Sequence, residues 1–332
     1  MNRSRKSRPG RVAVVLLTFC VTGVAQIFTQ STATASPVSV WSVPTVPGPV
    51  QTVHGYATEY VRKNLDAVPV GANDFGCRPT EAHPRPVVLV HGTDSSAYSD
   101  YAALSPMLAD AGFCVFALNF GRDPARQTYG TEDMAISGVQ VATFVEQVRT
   151  ATGAEKVDIV GYSQGATVSR YFINRLGGAQ YVSNWVGMAS PSYGGVFYGL
   201  GPAAQAVPGA VDMLTPTLTT AVVQQMQGSS FLTALNSGGD TVAGVNYTTV
   251  SSNVDEMIQP FTNMALHGPN ATNLVLQDLC PINMSGHFQL AYDPYALQLV
   301  VNALDPAAAK QPQCVAVPLG TGIPEVVGAA HS

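Results

Sequence analysis

The amino-acid sequence predicts an α/β fold, in which helices cover both faces of a mostly parallel central sheet. The first observation is a set of short, continuous apolar runs, such as 86–92 (PVVLVHG) and 113–121 (FCVFALNFG), which are typical of strands buried on both faces. The second is the helical spacing of apolar residues between these runs. Strands that alternate with helices favour a parallel sheet. Further strands are expected in 156–165, 181–191, 245–252 and 271–279, and helices in 99–112, 136–150, 166–178 and 294–304.

The N-terminus has the pattern of a secretory signal peptide. Residues 1–11 carry five basic residues and no acidic one, residues 12–28 are almost wholly apolar, and Ala33-Thr34-Ala35 matches a cleavage site. We therefore expect cleavage after Ala35, export from the cell, and no stable membrane anchor in the mature protein. The alternative is an N-terminal anchor that is retained.

The remaining chain is expected to form one large domain. After the signal peptide (1–35), residues 36–72 form an N-terminal arm that begins with a Pro-, Val- and Thr-rich extended stretch. The α/β domain itself is expected at 73–314, with a small cap or lid insertion at about 192–240. Residues 315–332 form a C-terminal tail, which is expected to be loosely held.

The charge and the cysteines limit the function. Without the five basic residues of the signal peptide, the formal net charge falls from −5 to −10, which disfavours binding to nucleic acid. Four cysteines remain in the mature chain, and an even number in an exported protein suggests two disulfides with three connectivities. Proximity in the sequence favours Cys77–Cys114 and Cys280–Cys314; the alternative is buried free thiols. No cysteine or histidine spacing suits a zinc site.

One motif carries the chemistry of the chain. Residues 161–165 read Gly-Tyr-Ser-Gln-Gly, a G-x-S-x-G turn between an apolar strand and a helix. This context, rather than the five letters, predicts the α/β-hydrolase fold with Ser163 as its nucleophile. The flanking glycines leave room where larger residues would collide with the strand and helix. The alternative is a serine in an ordinary glycine-rich turn.

A serine nucleophile needs a base, and in this fold the base follows the serine in the chain. His287 lies one loop after the last predicted strand, where that histidine belongs. His267 also follows Ser163 but lies on the connection before that strand. His287 is therefore the predicted base, and a surface-loop histidine is the alternative.

The acid should follow the penultimate strand. Asp255 and Glu256 stand side by side there, and Asp255 is preferred because it is reached first. Its role is to hold the imidazole tautomer and to stabilise the imidazolium. Asp278, at the end of the last strand, is the rival.

The backbone is expected to supply the oxyanion hole. The donors are the N–H of Gln164, which follows the nucleophile, and that of Thr93, in the loop after the strand VVLV. His91 precedes the serine, so it is expected to orient this loop rather than to act as the base.

Several motifs together resemble the secreted actinobacterial lipases and esterases of the class 2 lipase family. They occur in family order over most of residues 73–306 and read NDFGCRPTEAHPRPVVLVHGT, LADAGFCVFALNFG, VGYSQGA, VDEMIQPFT and QDLCPINMSGHFQLAYDP. The resemblance implies hydrolysis of lipid-like or artificial esters without a metal or an organic cofactor. It also implies a triad of Ser163, Asp255 and His287, and it supports the two local cysteine pairs. The segment VSSNVDE departs from the family, which has an aromatic residue before the aspartate.

The insertion at 192–240 is expected to form the acyl-binding wall or a lid. It leaves the sheet beside the nucleophile, and its apolar surface could meet a lipid–water interface. The alternative is plain core packing of a cap helix. The apolar residues that suggest this are Phe197, Tyr198, Leu200, Val207, Met213 and Leu214.

Two other functions are also compatible with the sequence. The first is a polyester-degrading esterase or an acyltransferase that uses the same triad. The second is a secreted binding protein that has lost catalysis, which is disfavoured because no triad member is missing.

Overall fold

The computed structural model describes residues 40–196 and 218–331. The expected signal peptide and the apolar residues of the insertion between 197 and 217 lie outside this range. Within it, no helix is long and apolar enough to cross a membrane.

A seven-stranded sheet organises the described residues. The strands are β1 (Val40–Ser42), β2 (Val46–Pro47), β3 (Ala67–Val68), β4 (Val87–Val90), β5 (Val115–Arg122), β6 (Val157–Tyr162), β7 (Val182–Met188), β8 (Asn246–Ser251) and β9 (Ala271–Val275). The order in the sheet is β1-β5-β4-β6-β7-β8-β9, and every neighbouring pair is parallel except β1–β5. Strands β2 and β3 form a small separate parallel pair. The predicted mostly parallel sheet is thereby confirmed.

Helices connect the strands and cover both faces of the sheet. The helix expected in 99–112 is divided into two short ones, and the helix expected in 294–304 has those bounds. The α-helices of the described residues are α1 (His54–Lys63), α2 (Ala97–Tyr101), α3 (Leu104–Asp110), α4 (Met134–Thr152), α5 (Gln164–Arg175), α6 (Thr220–Gln224), α7 (Ser230–Asn236), α8 (Leu276–Leu279), α9 (His287–Leu290), α10 (Pro294–Leu304) and α11 (Ile323–His331).

The core consists of two apolar clusters, one on each face of the sheet. Successive side chains of a strand point to opposite faces, so Val87 and Leu89 of β4 enter one cluster and Val88 and Val90 enter the other. All four side chains are fully buried. This burial explains why the strand reads as a continuous apolar run rather than an alternating one.

The two terminal segments differ from the expectation. The N-terminal arm is not simply extended, because it adds β1 to the sheet and contains the helix α1. The C-terminal segment is not loosely held, because its helix α11 packs closely on α1. A Cβ atom at Gly55 of α1 would lie 2.4 Å from the carbonyl carbon of Glu325 in α11. The missing side chain of Gly55 therefore permits the close approach of the two helices.

Two disulfides join segments that are distant in the chain. The structure pairs Cys77 with Cys114 and Cys280 with Cys314, with Cα–Cα distances of 5.8 and 5.5 Å. Both are the pairs favoured from sequence proximity. Disulfides of this kind persist in oxidising compartments, which suggests an extracellular protein.

Candidate active site

Ser163 lies in a tight turn between β6 and α5. Its backbone has φ +52° and ψ −123°, a strained conformation for a residue with a side chain. The flanking glycines are required by space: a Cβ atom at Gly165 would lie 1.9 Å from the carbonyl oxygen of Val90, and one at Gly161 would lie 2.4 Å from the Cα of Ala166. The turn thus places Ser163 at the carboxyl end of β6 and brings the start of α5 close against β4.

The structure brings the three residues of the predicted triad together. His287 Nε2 lies 3.1 Å from Ser163 Oγ, and His287 Nδ1 lies 2.8 Å from Asp255 Oδ2. All three residues are buried. Because an ionised carboxylate only accepts hydrogen bonds, Nδ1–H is the donor, and Nε2 is left free to accept the serine proton. This arrangement can generate a nucleophilic serine.

Asp255 is fixed by the backbone that follows it. Its Oδ1 accepts hydrogen bonds from the N–H groups of Met257 and Ile258, at 2.9 and 2.7 Å. The other carboxylate oxygen is therefore left for the imidazole. The segment VSSNVDE lacks the aromatic residue that the family has before the aspartate. Asp255 nevertheless contacts His287.

The neighbouring acid has a different place. Glu256 Oε2 accepts the backbone N–H of His287 at 2.7 Å, so this carboxylate binds the first turn of α9 rather than the imidazole. Gly286 makes room for it, since a Cβ there would lie 1.8 Å from the same oxygen. Sequence reasoning noted Glu256 only as the residue next to Asp255 and missed this supporting contact. The adjacent pair of acids was the only signal for it.

Opposing effects act on the imidazole of His287. Burial lowers its pKa, whereas the charge of Asp255 and the hydrogen bond to it raise it, with a smaller contribution from Glu256. The net result is a pKa above the usual value of histidine. The alternative residues lie elsewhere: His267 packs on Tyr193, and Asp278 is exposed.

The loop that carries Thr93 is held on both sides of Gly92. The Gly92 N–H donates to Asp100 Oδ2 at 2.6 Å, and His91 Nδ1 donates to the Gly92 carbonyl at 2.8 Å. His91 Nε2 in turn accepts the N–H of Phe120 at 3.1 Å. The Gly92 carbonyl and the Thr93 N–H belong to one planar peptide unit, so the bond from His91 also fixes the direction of the Thr93 N–H.

His91 is suited to this role because it is neutral. It is completely buried, and desolvation lowers its pKa to about 4. An uncharged ring has one N–H and one bare nitrogen, which match the carbonyl and the N–H group that it contacts. The expectation that His91 orients the loop fits these contacts.

A second histidine–aspartate pair lies in the same region and was missed from the sequence. His54 Nε2 of α1 lies 2.9 Å from Asp100 Oδ1. Burial alone would raise the pKa of Asp100, but the hydrogen bond and charge of His54 help to hold it below its usual value. His54 precedes Ser163 in the chain, where this fold does not place the base, and no local sequence pattern connects it with Asp100.

Ser163, His287, His54 and Asp100 line a cavity of about 360 Å³. Gln225, the residue after α6, also lines it and donates to Thr93 Oγ1 at 2.9 Å. Several walls are apolar, which suits a ligand with a hydrocarbon part. Among the described residues, the lining consists of His54, Thr58, Arg62, Thr93, Asp94, Ser95, Asp100, Tyr162, Ser163, Val196, Val222, Gln225, Met257, Ile258, His287, Phe288 and Val326.

The sheet order and the strand–turn–helix at Ser163 define an α/β-hydrolase. Residues 84–300 match the model of the class 2 lipases. The chain therefore belongs to the class 2 lipase family.

Two solved lipase structures share this fold. Aspergillus fumigatus lipase B is similar with a TM-score of 0.57 and 20% identity, over 79% of this chain and 62% of that chain. The mature form of Bacillus licheniformis lipase BlEst2 is similar with a TM-score of 0.50 and 19% identity, over 69% of this chain and 94% of that chain. At these identities the likeness concerns the fold alone. Because the match covers 62% of the Aspergillus lipase, the chain spans less than two thirds of that protein's length.

Proposed function

We propose that this protein is a secreted carboxylic ester hydrolase of the lipase type, which works through a covalent acyl-enzyme on Ser163. The observation that carries the proposal is the hydrogen-bonded series Asp255–His287–Ser163 at the wall of a partly apolar cavity. Its setting in a class 2 lipase supports an ester or lipid substrate. The two disulfides and the signal-like N-terminus support secretion.

The first half of the reaction forms the acyl-enzyme. His287 Nε2 takes the hydroxyl proton as Ser163 Oγ attacks the ester carbonyl carbon, and the carbonyl oxygen becomes an oxyanion. The N–H groups of Thr93 and Gln164 hold that oxyanion; neither has an acceptor among the described residues. When the C–O bond breaks, the imidazolium of His287 gives its proton to the departing alcohol.

The second half releases the acid. Water enters the place of the alcohol and gives a proton to His287 as its oxygen attacks the acyl carbon. The same two N–H groups hold the second oxyanion. Collapse of this intermediate breaks the bond to Ser163 Oγ, which regains its proton from His287.

Covalent labelling tests the reaction class directly. A fluorophosphonate is attacked only by an activated serine, so we expect one phosphonyl group per molecule, on the peptide that contains Ser163. Esterase activity on p-nitrophenyl butyrate should fall in proportion to the labelled fraction, as measured by intact-protein mass. Heat-unfolded protein is the control and should stay unlabelled. Full activity in fully labelled protein, or a label on another serine, would contradict the proposal.

Replacing His91 by alanine is expected to lower kcat roughly tenfold to a hundredfold with little change in KM. The reason is that the Thr93 N–H loses its fixed direction but is not removed; complete loss of an oxyanion donor costs about 10²- to 10³-fold. Steady-state kinetics on p-nitrophenyl butyrate measures the effect.

The matched control for this prediction is His83→Ala. His83 is bonded to Asp305 at 3.2 Å, outside the lining of the cavity. The His83→Ala variant should therefore keep the wild-type kcat. A His91→Ala variant that is folded by circular dichroism and keeps the wild-type kcat would show that His91 does not position the donor.

A further inference from the structure

The C-terminal helix α11 forms part of the wall around the candidate active site. Val326 of this helix lines the cavity that contains Ser163 and His287. The helix begins after Cys314 of the last disulfide and lies beyond the residues 84–300 that match the family. This wall is therefore a feature of the chain outside its family-matched region.

Three close approaches hold α11 in place. Just before the helix, Gly322 approaches Gln289 of α9, the short helix of His287, so that a Cβ atom added to Gly322 would lie 3.4 Å from Gln289 Oε1. In its first turn, Glu325 lies directly against Gly55 of α1. Near its end, the guanidinium of Arg62 donates to the carbonyl of Ala329. The helix is thus fixed both to α9 and to α1.

Neighbouring residues of α11 face different surroundings. Val326 faces the cavity, whereas Val327 is 50% exposed to solvent. Two polar side chains of α1 in the cavity lining are engaged in the protein: Thr58 Oγ1 donates to the His54 carbonyl at 3.0 Å, and Arg62 binds Ala329. Val326, Phe288 and Met257 add hydrocarbon surface to the same lining.

We propose that Val326 on α11 is a specificity-determining residue, which limits the length of the acyl chain that the cavity accepts. The inference rests on the proposed function, because it assigns one wall of the same ester site. A larger side chain at 326 fills the cavity and excludes long acyl chains, whereas a short acyl group still reaches Ser163. A smaller side chain lengthens the cavity.

The test compares two p-nitrophenyl esters, the acetate and the decanoate, on the full chain. Val326→Trp is expected to lower kcat/KM for the decanoate at least about tenfold relative to that for the acetate, the effect of misfitting a hydrophobic pocket. Val326→Ala is expected to change the ratio in the opposite direction. Val327→Trp is the matched control, since it adds the same bulk to the exposed side of the helix and should leave the ratio unchanged.

The outcomes separate the two proposals. If the wild type cleaves neither ester, the proposed function is wrong and the inference fails with it. If the wild type cleaves both esters but Val326→Trp and Val326→Ala keep the wild-type ratio, only the inference is overturned. Activity of Val326→Trp on the acetate shows that the variant is folded.

Discussion

Replacing Ser163 by alanine is expected to lower kcat for ester hydrolysis about 10⁶-fold while the fold is retained. The substitution removes only Oγ, the atom that lies 3.1 Å from His287 Nε2, and with it the covalent path. The oxyanion donors stay, so a small rate above that of water should persist. Stopped and steady-state assays on p-nitrophenyl butyrate, with fluorophosphonate labelling of the same sample, measure the loss.

A serine in the helix that follows Ser163 provides the control. Ser169 of α5 is buried like Ser163, but its hydroxyl accepts the indole N–H of Trp185 at 2.9 Å and donates to the Ala166 carbonyl at 3.1 Å, and Ser169 is not part of the cavity lining. Ser169→Ala should lower the free energy of unfolding by about 1 to 3 kcal/mol, because the buried indole N–H loses its acceptor, and leave kcat close to the wild type. A Ser163→Ala variant with kcat within tenfold of the wild type would rule out Ser163 as the nucleophile.

The parts of the site that sequence reasoning located are those with a local pattern. The nucleophile turn can be recognised in the sequence because only glycine fits at positions 161 and 165, on either side of Ser163. Asp255 and His287 follow from the order of strands, since the loops at the carboxyl ends of parallel strands meet at one edge of the sheet. The fold class follows from the same alternation of strands and helices, which can be predicted from the spacing of apolar residues alone.

The parts that sequence reasoning missed depend on contacts between distant segments. His54 and Asp100 are 46 positions apart, and Gly55 meets Glu325 only after the whole domain has formed. Helix α1 contains a histidine and a glycine at its start, and α11 follows a glycine-rich stretch, so their local patterns are weak. Tertiary packing rather than propensity stabilises such helices.

Replacing Asp255 by asparagine is expected to lower kcat about 10⁴-fold. An asparagine amide can donate to Nδ1, which places the imidazole proton on Nε2, facing Ser163, so the ring can no longer accept the hydroxyl proton. The measurement is kcat on p-nitrophenyl butyrate, with near-ultraviolet circular dichroism to show that the site is folded.

The pH profile gives a second measurement on the same variant. His287 must be neutral to act as the base, so activity rises with pH through the pKa of its imidazole. The Asp255 charge raises that pKa, and the wild-type midpoint should therefore lie above the usual value of about 6.5. Without that charge the pKa falls, so the residual activity of Asp255→Asn should reach its plateau at lower pH.

Glu256→Gln separates a specific role of Asp255 from a general loss of negative charge. It removes one charge from the adjacent residue but keeps an oxygen that can accept the His287 N–H, now 2.7 Å away. Because the Glu256 charge also raises the His287 pKa, though less than Asp255, the midpoint should move down slightly while kcat stays near the wild type. Equal losses of kcat in both variants would mean that charge alone matters. A wild-type kcat in Asp255→Asn would place the acid elsewhere.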